Sequence, residues 1–130
     1  MGKEDADGQA YTVLCHVHLL ERKFDDSLKL GEQAVTIRPS CPNANAFYAH
    51  SLYYCGLLDK AIHHARLAIR FQPNYPPFFA AVLAGALYAR GDQAAAIAIA
   101  KDSVRLNPND GHAKAILCSA LMELGREQEA

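Results

Sequence analysis

The chain has 130 residues, and 51% of them are hydrophobic. It contains six prolines and has a formal net charge of −1. This length and hydrophobic content exclude a long disordered chain and predict one domain with a continuous core. The near-neutral charge argues against a general nucleic-acid binder, and the lack of a signal peptide or an apolar run of about 18 residues argues against membrane insertion.

The chain opens with a polar, acidic segment, residues 1–8, which we expect to be a disordered lead-in. From there onward, apolar residues recur at three-and-four spacing, which is typical of short amphipathic helices. The predicted helices span about 9–20, 24–37, 43–55, 58–71, 77–90, 92–106 and 111–124, with an eighth barely begun when the chain ends. Glycines and prolines separate these helices. The pattern predicts an all-α domain.

The turn residues recur at a fixed interval along the chain. Gly56, which can end a helix in a left-handed turn, is followed by Pro73, which cannot continue a helix. The same two marks return as Gly91 and Pro108, and a further proline precedes them at Pro39. A recurring interval of this length predicts a repeat array. Each copy is a helix pair that must stack on its neighbours to bury both apolar faces.

This pattern resembles the tetratricopeptide repeat (TPR). In the second copy the family's places are taken by Asn45, Tyr48, Ala49, Leu52, Ala61, Ala65, Ala68 and Pro73. The bulky aromatic of the second helix is replaced by Gly31, Ala65 or Ala100. The resemblance implies a right-handed superhelical solenoid of antiparallel helix pairs over 9–130. Its repeats would span about 9–41, 42–75 and 76–109, with a truncated fourth at 110–130.

The chain stops midway through the fourth unit, so we expect it to be a piece of a longer protein. Natural arrays close with a capping repeat whose outer face is polar. An uncapped end predicts an under-covered apolar face on the seventh helix and possible self-association. That face consists of Ile116, Leu117, Ala120 and Leu121.

The four cysteines form no C-x-x-C pair, and we interpret them as small buried hydrophobes. They are Cys15, Cys41, Cys55 and Cys118. Cysteines of this kind fit a reducing cytoplasm better than a secreted disulfide framework. We therefore expect a cytoplasmic protein.

The sequence contains no constellation that predicts catalysis. It has no Gly-rich phosphate loop and no G-x-S-x-G elbow. His16 and His18 are two apart on a helix, so they diverge too far to share a metal easily. The acidic pair Asp25 and Asp26 opens a helix, where the dipole explains it. We predict a chain that is not an enzyme and needs no cofactor or metal.

The second helix of the second repeat carries two adjacent histidines and a stripe of basic residues. His63 and His64 diverge from each other like the earlier pair, so a metal site there is the weaker interpretation. The stripe consists of His63, Arg66 and Arg70. We interpret it as a solvated face, with an acidic partner or anionic lipid as the alternative.

The TPR resemblance implies a concave binding groove lined by the first helix of each pair. The residues at the family's groove positions are Thr12, His16, Leu19, Asn43, Phe47, His50, Tyr54, Phe78, Val82, Gly85, Tyr88, His112 and Ser119. Among them Phe47, Tyr54, Phe78 and Tyr88 are large anchors of the kind that dominate binding hot spots. The alternative is that about half of these residues belong to the core between repeats.

TPR domains that bind chaperone tails clamp a C-terminal carboxylate with lysine, arginine and asparagine side chains. The matching positions here are Thr12, His16, Phe47, Phe78 and Val82, and no cation stands among them. This argues against a chaperone tail as the partner. A peptide or helix with apolar or aromatic anchors fits better.

A narrower resemblance concerns residues 74–79, NYPPFF, and the repeat that follows them. This segment is similar to the repeats C-terminal to the catalytic domain of bacterial class III adenylate cyclases. Two functions therefore stay open. One is a scaffold that binds a protein or peptide. The alternative is a non-catalytic regulatory part of a bacterial signalling enzyme such as a cyclase.

Overall fold

The computed structural model describes residues 3–106, 108–109 and 111–129, with side chains from Gly8 to Gly125 apart from His112. Within these ranges the chain forms seven α-helices and no strand, which confirms the predicted all-α class. The helices are α1 (Lys3–Leu20), α2 (Phe24–Ile37), α3 (Pro42–Tyr54), α4 (Leu58–Phe71), α5 (Pro77–Arg90), α6 (Gln93–Leu106) and α7 (Gly111–Glu129). No described helix combines the length and apolar character needed to span a lipid bilayer.

The turns between paired helices have the predicted left-handed residue. Gly56 and Gly91 have φ of 78° and 96°, a region that glycine enters without a Cβ penalty. The equivalent residue in the first repeat is Arg22, with φ of 62°. Asp92 precedes α6, and its Oδ1 accepts a hydrogen bond from the Ala95 backbone N–H at 3.2 Å. This is the N-cap arrangement that satisfies a free donor at a helix start.

The first helix begins earlier than the sequence predicted. It starts at Lys3, within the segment expected to be disordered, rather than at Gln9. Gly8 is buried at the end of α2. A Cβ on this residue would lie only 2.6 Å from Arg38 Cδ. The Thr12 hydroxyl donates to the Gly8 carbonyl at 2.9 Å. A glycine inside the helix thus allows α1 to pack closely at this end.

The last helix is longer than predicted. It was expected to end near Leu124, but α7 continues through Gly125 to Glu129. Among the described glycines, the left-handed conformation occurs only at Gly56 and Gly91. A glycine inside a helix costs about 1 kcal/mol relative to alanine, which weakens a helix without ending it.

Helices pack in sequence order. Each helix contacts the next, and α1, α3, α5 and α7 also contact one another in series. The main core runs through α3 to α7 around Tyr48, Leu52, Leu83 and Leu87. Buried alanines such as Ala61 allow the helices to approach closely. Every contact between described helices joins elements at most two places apart in the chain.

A polar triad lies between the first two repeats. Cys15, Ser27 and Ser51 come from α1, α2 and α3, and all three are fully buried. Ser27 Oγ donates to the Cys15 carbonyl at 2.7 Å and lies 2.6 Å from Ser51 Oγ, which is 3.2 Å from Cys15 Sγ. Because the Ser27 hydrogen is already used, Ser51 donates to Ser27. The Cys15 thiol donates to the Phe47 carbonyl at 3.9 Å. The equivalent residues at the next interface are Ala49, Ala61 and Ala86.

The cysteines follow the predicted burial only in part. Cys15 is buried as predicted, and Cys41 and Cys55 are half-buried. Cys118 is exposed, which corrects its interpretation as a buried hydrophobe. It lies on the outer side of α7, the last helix, where no further helix among the described ones covers it.

The predicted apolar face of α7 divides between core and surface. Ala120 is fully buried, and Leu117 packs against the main core. Leu121 is 47% exposed, and the adjacent Met122 is 60% exposed. Self-association through this face remains a prediction.

Candidate protein-binding groove

Aromatic rings from three successive first helices form one connected cluster. His16 lies on α1, Phe47, His50 and Tyr54 on α3, and Phe78 on α5. The ring centroids are 5.0 Å apart for His16–Phe47, 5.1 Å for Phe47–Phe78, 5.0 Å for His50–Phe78 and 4.9 Å for His50–Tyr54. These separations lie in the range of favourable aromatic pairs. All five residues were predicted groove positions, and we call them the groove cluster.

Two histidines at equivalent repeat positions meet in this cluster. The ring of His16 stacks on that of His50 with centroids 6.1 Å apart and an interplanar angle of 25°. Sequence reasoning compared His16 only with His18 and missed this pair. The signal was available, because first helices of successive repeats are adjacent and the two histidines occupy the same place in their repeats.

The row of histidines ends at the third repeat. The equivalent residue there is Gly85, and a Cβ on it would lie 3.2 Å from Tyr53 Oη. The Tyr53 ring therefore covers the place where a third side chain would stand. Tyr53 also contacts Tyr54, with ring centroids 5.3 Å apart. A second-repeat side chain thus forms the wall of the groove at this end.

The groove cluster is partly open to solvent. Tyr54 is 58% exposed, whereas the other four rings are half-buried. Asn43 and Ser119, also predicted groove residues, are exposed on α3 and α7. Rings that are already packed on one another present a preformed apolar surface, so little side-chain entropy is lost when a ligand covers it.

Several predicted groove residues are largely buried. Val82 is 4% exposed and belongs to the main core, and Thr12 and Leu19 are buried. Tyr88 is half-buried and packs against that core. His112 lies in α7, and its side chain is outside the described part of the structure. The accessible groove is therefore narrower than the set of positions the TPR pattern supplied.

A recess flanks the groove cluster at each end. The first has a volume of about 460 Å³, and its lining includes Thr12, Val13, Arg38, Asn43 and Phe47. The second has a volume of about 380 Å³, and its lining consists of Leu19, Leu20, Arg22, Phe24, His50 and Tyr54. Each recess shares at least one ring with the groove cluster, so the three features form a continuous surface.

Cationic side chains lie at the ends of this surface rather than at its centre. Arg38 lines the first recess and Arg22 lines the second. Neither was among the predicted groove residues, because Arg38 follows the end of α2 and Arg22 lies in a turn. The five positions matched to the carboxylate clamp hold no lysine or arginine. The centre of the groove therefore presents aromatic rings, and an arginine lines the recess at each end.

The most perturbed histidine lies away from the groove. Burial lowers the pKa of His64 in α4 to about 4, with smaller contributions from His63 and Lys60. His64 Nδ1 lies 2.9 Å from Asn45 Oδ1, and its ring centroid is 4.8 Å from that of Tyr48. The Asn45 amide nitrogen donates to two backbone carbonyls, so its oxygen accepts the His64 Nδ1–H. His64 is a neutral residue that links α3 and α4.

Solved TPR structures superpose on nearly the whole chain. The first TPR domain of human RPAP3 matches with a TM-score of 0.87 and 15% identity over 95% of this chain and 96% of that one. The fold is that of tetratricopeptide repeats. The TPR domain of Sgt2 from Aspergillus fumigatus matches with a TM-score of 0.87 and 18% identity, covering 95% of this chain and 82% of that one. The predicted TPR-type solenoid is thereby confirmed.

A third TPR structure contains a bound peptide. The first TPR domain of Spaghetti (RPAP3), bound to the HSP90 peptide SRMEEVD, matches with a TM-score of 0.86 and 15% identity. The match covers 92% of this chain and 94% of that one. No protein-family model matches the sequence, and the search of curated proteins gave no match. At these identities the structural likeness establishes the TPR fold.

Proposed function

We propose that this TPR domain is a non-catalytic interaction module that binds a peptide or helix of a partner protein across α1, α3 and α5. The observation that carries the proposal is the groove cluster, in which five rings from three repeats share one partly exposed surface. Aromatic side chains of this kind dominate the energetics of protein interfaces. The peptide bound to the Spaghetti TPR domain supports a peptide ligand for the same fold.

The chemistry of the groove favours apolar or aromatic anchors in the ligand. Phe47, His50, Tyr54 and Phe78 supply ring faces and edges, and the positions of the carboxylate clamp lack cations. A C-terminal carboxylate at the centre would therefore lose its hydration without gaining charged donors. On this basis we propose a ligand with apolar side chains rather than a chaperone tail.

The test uses the rings that are accessible and spares those that stabilise the fold. Phe78 contacts both buried clusters, so its removal would confound binding with stability. The variant is instead His50→Ala/Tyr54→Ala. The matched control is Leu57→Ala/Phe71→Ala, which removes two exposed apolar side chains away from the groove.

Binding would be measured by fluorescence anisotropy with labelled octapeptide pools that contain Phe or Leu at a fixed position, and with SRMEEVD for comparison. We expect the groove variant to bind the apolar pools about ten-fold more weakly than wild type, with unchanged helicity by circular dichroism. The control should bind like wild type. Equal binding by both variants, or a preference of wild type for SRMEEVD, would contradict the proposal.

The narrower resemblance to cyclase-associated repeats has no support in the comparisons and stays a prediction. So does self-association through α7. A monodisperse monomer by light scattering at high concentration would contradict self-association. Neither is required for peptide binding in the groove.

A further inference from the structure

Arg22 has a left-handed backbone conformation, and the residues at the equivalent place in the next two repeats are glycines. Arg22, Gly56 and Gly91 have φ of 62°, 78° and 96°, and Arg22 is the one non-glycine residue with positive φ among those described. A residue with a Cβ is unfavourable in this region. Such strain persists where the surrounding structure or a function requires the side chain. The arginine therefore calls for an explanation beyond the turn itself.

Arg22 lines the second recess, whose other lining residues are largely apolar. Leu19, Leu20 and Phe24 form its first-repeat side, and His50 and Tyr54 form its second-repeat side. Leu20 is 70% exposed and Phe24 is 38% exposed, so the recess is open. Its volume of about 380 Å³ accommodates one large apolar side chain. Through His50 and Tyr54 it is continuous with the groove cluster.

The charge of Arg22 is not neutralised by an ion pair with any described side chain. Its neighbour Lys23 pairs with Glu21 at 3.8 Å. Asp25 and Asp26 line an adjacent recess together with Arg22, but they do not line this one. Arg22 is therefore the single formally charged residue among those that line the second recess.

We infer that this recess binds a Phe or Leu side chain of the peptide, with an adjacent Asp or Glu of the same peptide paired to Arg22. The inference rests on the proposed function and names the chemistry of its ligand. Apolar walls with one cation at the rim match an apolar residue followed by a carboxylate. A planar guanidinium binds a carboxylate through two parallel hydrogen bonds, which gives direction as well as attraction. The pair would fix which way the peptide runs along the groove.

The test compares three labelled octapeptide pools that differ only after a fixed central Phe. The next residue is Glu, Gln or Lys, and the remaining positions are a common random mixture. Wild type, Arg22→Gly, Tyr54→Ala and Arg70→Ala are titrated by anisotropy and melted by circular dichroism. Arg70 is exposed on α4 away from the recess, so its variant controls for loss of one positive charge.

We expect wild type and Arg70→Ala to bind the Phe-Glu pool about five-fold more tightly than the Phe-Gln pool. Arg22→Gly should bind the two equally and have a higher Tm, because glycine relieves the left-handed turn. A wild type that does not distinguish Glu from Gln would overturn the inference, as would a preference that survives Arg22→Gly or a Tm that falls. Binding that requires Tyr54 without a preference for Glu would leave the proposed function standing. Binding that is absent, or indifferent to Tyr54→Ala, would overturn both.

Discussion

Gly31 in α2 lies directly against the ring of Tyr48 in α3. A Cβ on Gly31 would come within 2.6 Å of Tyr48 Cδ1 and 3.1 Å of Cys15 Sγ. One repeat later the equivalent residues are Ala65 and Leu83, both buried. Glycine is thus paired with tyrosine in the first case, and alanine with leucine one repeat later. The aromatic that the TPR pattern places on a second helix is here supplied by the first helix of the following repeat.

The substitution Gly31→Ala should therefore destabilise the domain, although helix propensity alone predicts a gain of about 1 kcal/mol. Overpacking of this kind costs about 1–3 kcal/mol. The free energy of unfolding would be measured by urea titration followed by circular dichroism. In the Gly31→Ala/Tyr48→Leu double variant, which reproduces the next repeat, the substitution at 31 should cost less than it does with Tyr48 present. A stabilised single variant would show that the ring moves aside freely.

The buried triad of Cys15, Ser27 and Ser51 gives a second prediction. Ser27→Ala removes the acceptor of the Ser51 hydroxyl in a buried site, and we expect a loss of about 1–2 kcal/mol in the free energy of unfolding. Replacing all three residues with alanine recreates the set at the next interface. Because no polar partner is then left unsatisfied, the triple variant should lose less than the sum of the three single losses. Additive losses in a urea titration series would contradict this coupling.

His64 should make stability fall in mild acid. Its folded pKa is about 4 and its unfolded pKa about 6.5, so the unfolded chain binds more protons between these values. The free energy of unfolding therefore decreases as pH falls from about 6.5 to 4, by about 2 kcal/mol. The measurement is the pH dependence of urea unfolding in wild type and His64→Gln. The variant should lack this slope, whereas His63→Gln should retain most of it, because burial is the larger cause of the low His64 pKa.

The cysteines should differ in reactivity towards a thiol reagent such as Ellman's reagent. Cys118 is exposed and should react first in the native protein, while Cys15 is fully buried and should react only as the domain opens. Burial, followed by the charge of Asp25, raises the pKa of Cys55, so the thiolate fraction and reaction rate of Cys55 should be low. Cys118→Ser should remove the fastest phase. Persistence of that phase would contradict the assignment.

The helix boundaries were predictable where local chemistry marks them. The predicted limits of α2, α4 and α5 match the structure. For α4 and α5 the reason is local, because Gly56 and Gly91 permit a left-handed turn, whereas Pro73 and the proline at the start of α5 restrict the backbone. Gly125 lies at the equivalent place in the fourth repeat, but α7 does not end there. Nothing in the residues after it opposes a helix, so the backbone remained helical.

The sequence predicted which helix face forms the groove, but it did not predict which side chains contact one another there. Positions such as Phe47 and His50 followed from the TPR pattern, whereas the stacking of His16 on His50 depends on the offset between repeats. Val82 was misplaced because α5 is apolar on every side, so its periodicity identifies no solvent face. Arg22 was missed because turn residues are absent from the family's groove positions.

The neighbour-only packing of the helices has a kinetic consequence. Because every contact between described helices joins elements at most two places apart, no large loop has to close as the chain forms, so we expect it to fold quickly and to lose a terminal helix while the remainder stays folded. A peptide that touches α1, α3 and α5 at once would link repeats that otherwise communicate only through their neighbours. Such a ligand would couple the repeats, so that the array would unfold and refold as one cooperative unit.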